Sequence, residues 1–89
     1  RTVIIPIRGD SMIEAGLIEG DKLIVKRGVP SKAGDIVVAI VDGEFTVKYL
    51  AKDSRGFYLK PGNAAFDDIR PQNELELFGR VTGCFRVYS

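Results

Sequence analysis

The sequence predicts an all-β domain, a small twisted barrel or sandwich of about seven short strands with at most one short helix. Three observations carry this. Apolar residues fall in short runs rich in Val, Ile and Phe, which fit a pleated surface. Glycine, proline and Asp-Gly signals break the chain at intervals of about 8–12 residues. No stretch keeps a 3.6-residue apolar period long enough for a full helix.

The elements follow in order. Val3–Ile7 is a β-branched run broken by Pro6, which has no N–H for a ladder and therefore predicts an edge strand or a bulge. Ser11–Leu17 is the one helical candidate, with Gly16 ending it. Leu23–Val25 is a second short strand. Ile36–Val41 is the most apolar run and reads as a central strand. Asp42-Gly43 then joins it to Glu44–Leu50 as a two-residue hairpin. Phe57–Lys60 is a short strand stopped by Pro61-Gly62-Asn63. Leu75–Val87 holds two further strand runs, with Gly79 and Gly83 as bends or bulges. Cys84, in the last run, reads as a small buried hydrophobe.

Composition removes several chemistries. The chain has 89 residues and a mass of 9.8 kDa, which reads as one domain over 1–89. It contains no histidine, so a Ser-His-Asp triad, a Cys-His dyad and a His-ligated zinc site are all excluded within it. No metal and no cofactor are expected. Cys84 is the single cysteine, so no intrachain disulfide forms. Thirteen basic residues against 12 acidic ones leave a net charge of +1, without the basic excess that nucleic-acid binding requires. The apolar runs are too short to cross a membrane as a helix. A domain this small buries about 64 % of its unfolded surface. That is a thin core, and a second copy of the chain is an expected source of support.

Without histidine, a hydrolytic site needs another base, and a neutral lysine can serve. Taking a lysine from its ordinary pKa of about 10.4 to neutrality costs roughly 4–5 kcal/mol, so such a residue must sit in a dry, well-packed place. Lys48, within Phe45-Thr46-Val47-Lys48-Tyr49-Leu50, has the most apolar setting of any lysine here. On a strand, Thr46, Lys48 and Leu50 share one face. The alternative is an edge lysine that blunts strand pairing. The candidate nucleophile is Ser11, in the tight turn Gly9-Asp10-Ser11-Met12. Its alternative is an N-cap serine at the start of a short helix.

These residues also resemble a family. Gly9-Asp10-Ser11-Met12, Gly16-Leu17-Ile18-Glu19-Gly20-Asp21, Gly34-Asp35-Ile36-Val37 and Asp42-Gly43-Glu44-Phe45-Thr46-Val47-Lys48 occur in the order seen in the self-cleaving domain of LexA-type repressors and UmuD-type mutagenesis proteins. Leu59, Pro61, Asn63, Phe78-Gly79 and Val81 fit as well, and Ser11 and Lys48 stand 37 positions apart, as in that family. The wording Gly-Asp-Ser-Met-Ile and Val-Asp-Gly-Glu-Phe-Thr-Val-Lys resembles UmuD more than LexA.

The resemblance implies a serine peptidase that cuts its own chain. Ser11 would be the nucleophile and Lys48 the base. The backbone N–H groups of Asp10 and Ser11 would form the oxyanion hole, with Gly9 and Met12 lining the site. Cleavage would fall at an Ala-Gly or Cys-Gly bond N-terminal to the serine, promoted by a RecA–single-stranded-DNA filament in a bacterial cytoplasm. The processed product would be a homodimer serving a translesion DNA polymerase. The alternative is the carboxy-terminal cleavage and dimerisation domain of a LexA-type or phage repressor. A type I signal peptidase, which also pairs a Ser-Met with a lysine, would need a membrane anchor. No Ala-Gly or Cys-Gly precedes Ser11, so the cleaved segment is expected to lie outside this chain, which then reads as a processed or truncated form.

Overall fold

A computed structural model describes residues 1–72 and 75–88. Six strands form one antiparallel sheet: β1 (Thr2–Pro6), β2 (Lys22–Lys26), β3 (Ile36–Val41), β4 (Glu44–Asp53), β5 (Gly56–Lys60) and β6 (Glu76–Phe85). Their order across the sheet is β1-β2-β6-β3-β4-β5. The all-β expectation holds. The sheet does not close into a barrel, because β1 and β5 are both edges. The strand count is six because the two runs expected within Leu75–Val87 are one ten-residue strand.

That strand explains how two runs merge. Its pairing with β3 shifts register between Val38 and Ala39, and its pairing with β2 shifts between Ile24 and Val25. Each shift is a bulge, which bends a strand without ending it. Gly79 lies between them. A Cβ there would stand 2.7 Å from Val25 Cγ1 and 2.8 Å from the Lys26 carbonyl oxygen, so the close approach of β2 and β6 admits only glycine. Beyond Arg80, β3 no longer flanks β6. Cys84, next to last in the strand and flanked by β2 alone, is therefore exposed rather than buried.

The Asp42-Gly43 hairpin forms as expected. Both residues take positive φ, 51° and 80°, the requirement of a type I′ turn, and Val41 pairs Glu44 directly. β4 runs on past Leu50 to Asp53, where Ser54-Arg55 turns the chain into β5. Pro6 ends β1 on the open edge of the sheet. The helical candidate contracts to a single 3-10 turn, Ile13–Ala15, closed by Gly16 at φ 81°.

Alternation along β3 splits the core. Val37 and Ala39 point to one side with Leu50 and Leu59, while Val38 packs on the other with Ile7, Met12, Leu17, Leu23 and Val25. Val37, Val38 and Ala39 are all fully buried, as a central strand covered on both faces must be.

Candidate active site

Lys48 pairs with Val37 of β3, and β5 joins β4 only from Tyr49 onward, so Lys48 lies where β4 has a strand on one side; its side chain is nonetheless buried rather than held out to blunt an edge. It stands directly across from Val37, with Leu50 next along the same face, and is 7 % exposed. Its ammonium group reaches out of this apolar setting to two hydroxyls. Lys48 Nζ lies 3.0 Å from Ser11 Oγ and 2.7 Å from Thr46 Oγ1. It makes no ion pair among the described residues. Burial pushes its pKa below the ordinary value of 10.5, because desolvation disfavours the charged form and no carboxylate offsets it.

Ser11 comes from the turn between β1 and β2. The turn is possible because Gly9 adopts φ 75°, and Glu19 accepts a hydrogen bond from the Gly9 N–H at 2.8 Å. Ser11 is not a helix cap. The N-cap position of the 3-10 turn is Met12, and no side chain caps it. The Ser11 hydroxyl instead meets Lys48 across a sequence gap of 37 residues. Among the described residues, the N–H groups of Asp10, Ser11 and Met12 donate to no protein acceptor. Ser11 and Lys48 open into a cleft of about 450 Å³, whose walls include Ile5, Ile7, Gly9, Met12, Phe45 and Thr46.

A loop after β5 grips the Ser11 turn. Asn63 Nδ2 donates to the Asp10 carbonyl at 2.9 Å, and Glu14 N donates to the Gly62 carbonyl at 2.8 Å. Ala64 N donates to Glu14 Oε2 at 2.9 Å, and Gly62 N meets Met12 Sδ at 3.1 Å. Met12, 2 % exposed, thus anchors the turn as well as lining the cleft. On the far side, Arg86 makes a bidentate ion pair with buried Asp21, through Nε at 2.6 Å and Nη2 at 2.9 Å. Asp21 also accepts from Ile18 N at 3.0 Å. The Arg86 guanidinium and this N–H hold the Asp21 carboxyl down to about 2.

Of the site residues expected from sequence, Gly9, Ser11, Met12 and Lys48 line this cleft, and Asp10, next to Ser11 in the turn, does not. Thr46, Asn63 and the Asp21–Arg86 pair were given no role there. Thr46 had a signal, since it lies two residues from Lys48 on one face of a strand. The contacts of Asn63 and Arg86 span 53 and 65 residues and leave no local trace.

A hydroxyl within hydrogen-bond reach of a desolvated amine, beside free backbone N–H donors, is the equipment of a serine hydrolase that works without histidine. Comparison with known proteins defines the group. The family described as Peptidase S24-like matches residues 1–82, and the chain belongs to it. Among its relatives are LexA repressors. That of Carboxydothermus hydrogenoformans is 44 % identical over 84 residues, covering 92 % of this chain and 41 % of the relative. That of Acetivibrio thermocellus is 42 % identical over 80 residues, covering 90 % and 38 %. That of Oleidesulfovibrio alaskensis is 44 % identical over 82 residues, covering 90 % and 40 %. The chain thus spans about two fifths of the length of the relatives it matches. No helix among the described residues is long and apolar enough to cross a membrane.

Proposed function

We propose that this chain is the self-cleaving peptidase domain of a LexA-type repressor, with Ser11 as nucleophile and Lys48 as general base. The observation that carries the reading is the 3.0 Å contact between Ser11 Oγ and a Lys48 amine that has no counter-charge among the described residues. Neutral Lys48 takes the hydroxyl proton as Ser11 Oγ attacks the carbonyl carbon of a peptide bond. The resulting oxyanion is met by the N–H groups of Ser11 and Asp10. The protonated Lys48 then returns its proton to the leaving amine, and water releases the acyl group. The scissile bond is an Ala-Gly or Cys-Gly of the same polypeptide, laid into the cleft between the Ile5–Gly9 and Gly43–Lys48 segments.

The same reading places the protein in a bacterial cytoplasm, where a RecA–single-stranded-DNA filament favours the cleavage-competent state. It is a homodimer there, and exposed Phe85, Val87 and Tyr88 offer apolar surface for a second copy. A UmuD-type role, in which the processed dimer serves a translesion DNA polymerase, draws support from the residues around Ser11 and Lys48. The LexA repressors among the relatives favour the repressor reading.

The test is a chain extended at its N-terminus by a segment bearing an Ala-Gly bond, followed by its conversion into two fragments. The rate rises from about pH 7 as Lys48 loses its proton and levels off before pH 10.5, because the amine's pKa is depressed. Ser11→Ala and Lys48→Ala each slow cleavage at least ~1,000-fold. A variant that still cuts itself at the parent rate removes the role given to that residue. Adding the RecA filament speeds the parent and leaves both variants inert.

A further inference from the structure

The mechanism needs a Ser11 N–H aimed into the cleft, and a single peptide plane decides that aim. In a trans peptide the C=O of one residue and the N–H of the next point in opposite directions. The Ser11 N–H therefore points away from wherever the Asp10 carbonyl is held. That carbonyl is held both from outside the turn and from within it. Asn63 Nδ2 donates to it at 2.9 Å, and Ile13 N approaches it at 3.3 Å. The Asn63 amide is itself fixed at its other end, where Oδ1 accepts from Ala65 N at 2.9 Å. The Asn63 contact is the long-range one, because Asn63 and Asp10 are 53 residues apart.

We propose that Asn63 is a positioning residue for the oxyanion hole: by gripping the Asp10 carbonyl it turns the Asp10–Ser11 peptide so that the Ser11 N–H faces the developing oxyanion. This rests on the Ser11–Lys48 reading above. Among the described residues, Asn63 makes no hydrogen bond to Ser11 or Lys48. Its loss misaims a donor and leaves the amine as dry as before. Such a residue lowers the rate at every pH and does not move the pH at which the rate is half-maximal. A residue that only kept the loop closed would act otherwise. Loosening the loop would admit water to Lys48 and raise that midpoint.

The experiment measures self-cleavage of the extended chain against pH for the parent, Asn63→Ala and Glu14→Ala, at a temperature where melts show all three folded. Glu14→Ala removes the acceptor of Ala64 N and loosens the same loop without touching the Asp10 carbonyl. Removing one oxyanion donor costs about 100- to 1,000-fold in rate, and a misaimed donor costs less. Asn63→Ala is expected to lower the plateau roughly 10- to 100-fold with an unchanged midpoint. Glu14→Ala is expected to keep most of the plateau. Equal plateaus for Asn63→Ala and the parent overturn the inference, as does a midpoint that moves, or an equal loss in both variants. If Asn63→Ala is unfolded at the assay temperature, Asn63→Ser is read by the same criteria. A parent chain that never cleaves overturns the Ser11–Lys48 reading itself, whereas a cleaving parent with an indifferent Asn63 overturns this inference alone.

Discussion

Asp21 and Lys48 are the two buried charged side chains among the described residues, 2 % and 7 % exposed, and they are built in opposite ways. Asp21 has an arginine, received through two hydrogen bonds, and a backbone N–H. Lys48 has two neutral hydroxyls and, among the described residues, no carboxylate. Both pKa values move down, with opposite meaning. For a carboxyl, a lowered pKa holds the charge in place. For an amine, it sheds the charge. Burial with a counter-ion makes a fastener between the C-terminal segment and the start of β2. Burial without one leaves an amine that gives up its proton more readily. The core tolerates the second only because Lys48 spends its hydrogen bonds on Ser11 and Thr46.

The comparison breaks most sharply if Lys48 is given what Asp21 has. Thr46→Asp sets a carboxylate where a hydroxyl now lies 2.7 Å from the amine. An opposite charge that close restores the ammonium form and leaves about 10- to 1,000-fold less neutral amine near pH 7. Self-cleavage at that pH falls in proportion and recovers as the pH is raised. A Thr46→Asp protein with the parent pH profile would contradict the contrast drawn here.

The reverse change takes the counter-ion from Asp21. In the parent, Asp21 contributes stability that is present above its ordinary value of 3.8 and lost as pH falls toward about 2. Arg86→Gln leaves a buried carboxylate unpaired, lowers the melting temperature at neutral pH and moves the acid loss to higher pH. Thermal melts between about pH 7 and pH 2 read both effects. A smaller change comes from Lys48→Met, which removes a desolvated amine and adds about 1 kcal/mol of stability at neutral pH. The unfolded parent binds a proton that the folded one gives up, so parent stability rises as pH approaches 10.5 and the advantage of methionine shrinks there. Denaturant titrations at two pH values show it. The smallest effect belongs to Arg70→Gln. The Arg70–Asp53 pair is on the surface, and its loss leaves the melting temperature within experimental scatter.

Where the sequence was legible, the signal was local. The run Ile36–Val41 appears as β3 with the bounds expected, and Asp42-Gly43 turns as such a pair must. Lys48 stood out because its neighbours on the strand are apolar, and burial of the amine follows from that. Where the reading fell short, the cause was distance along the chain. The last strand enters the middle of the sheet, and no local pattern announces a neighbour fifty residues away. The exposure of Cys84 depends on the pairing of β6 with β3 ending at Arg80, which a count along β6 alone does not reveal. That Ser11 meets an amine instead of capping a helix depends on a partner 37 residues away.

The place of β6 has a further consequence for when the site comes into being. In the sheet, β1 and β2 form one leaf, and β3, β4 and β5 another, and only the last strand in the chain stitches the leaves together. On a ribosome, the leaf bearing the hydroxyl and the leaf bearing the amine emerge as separate hairpins without that seam. Strand pairing therefore joins the Ser11 turn to the Lys48 strand only once β6 has emerged.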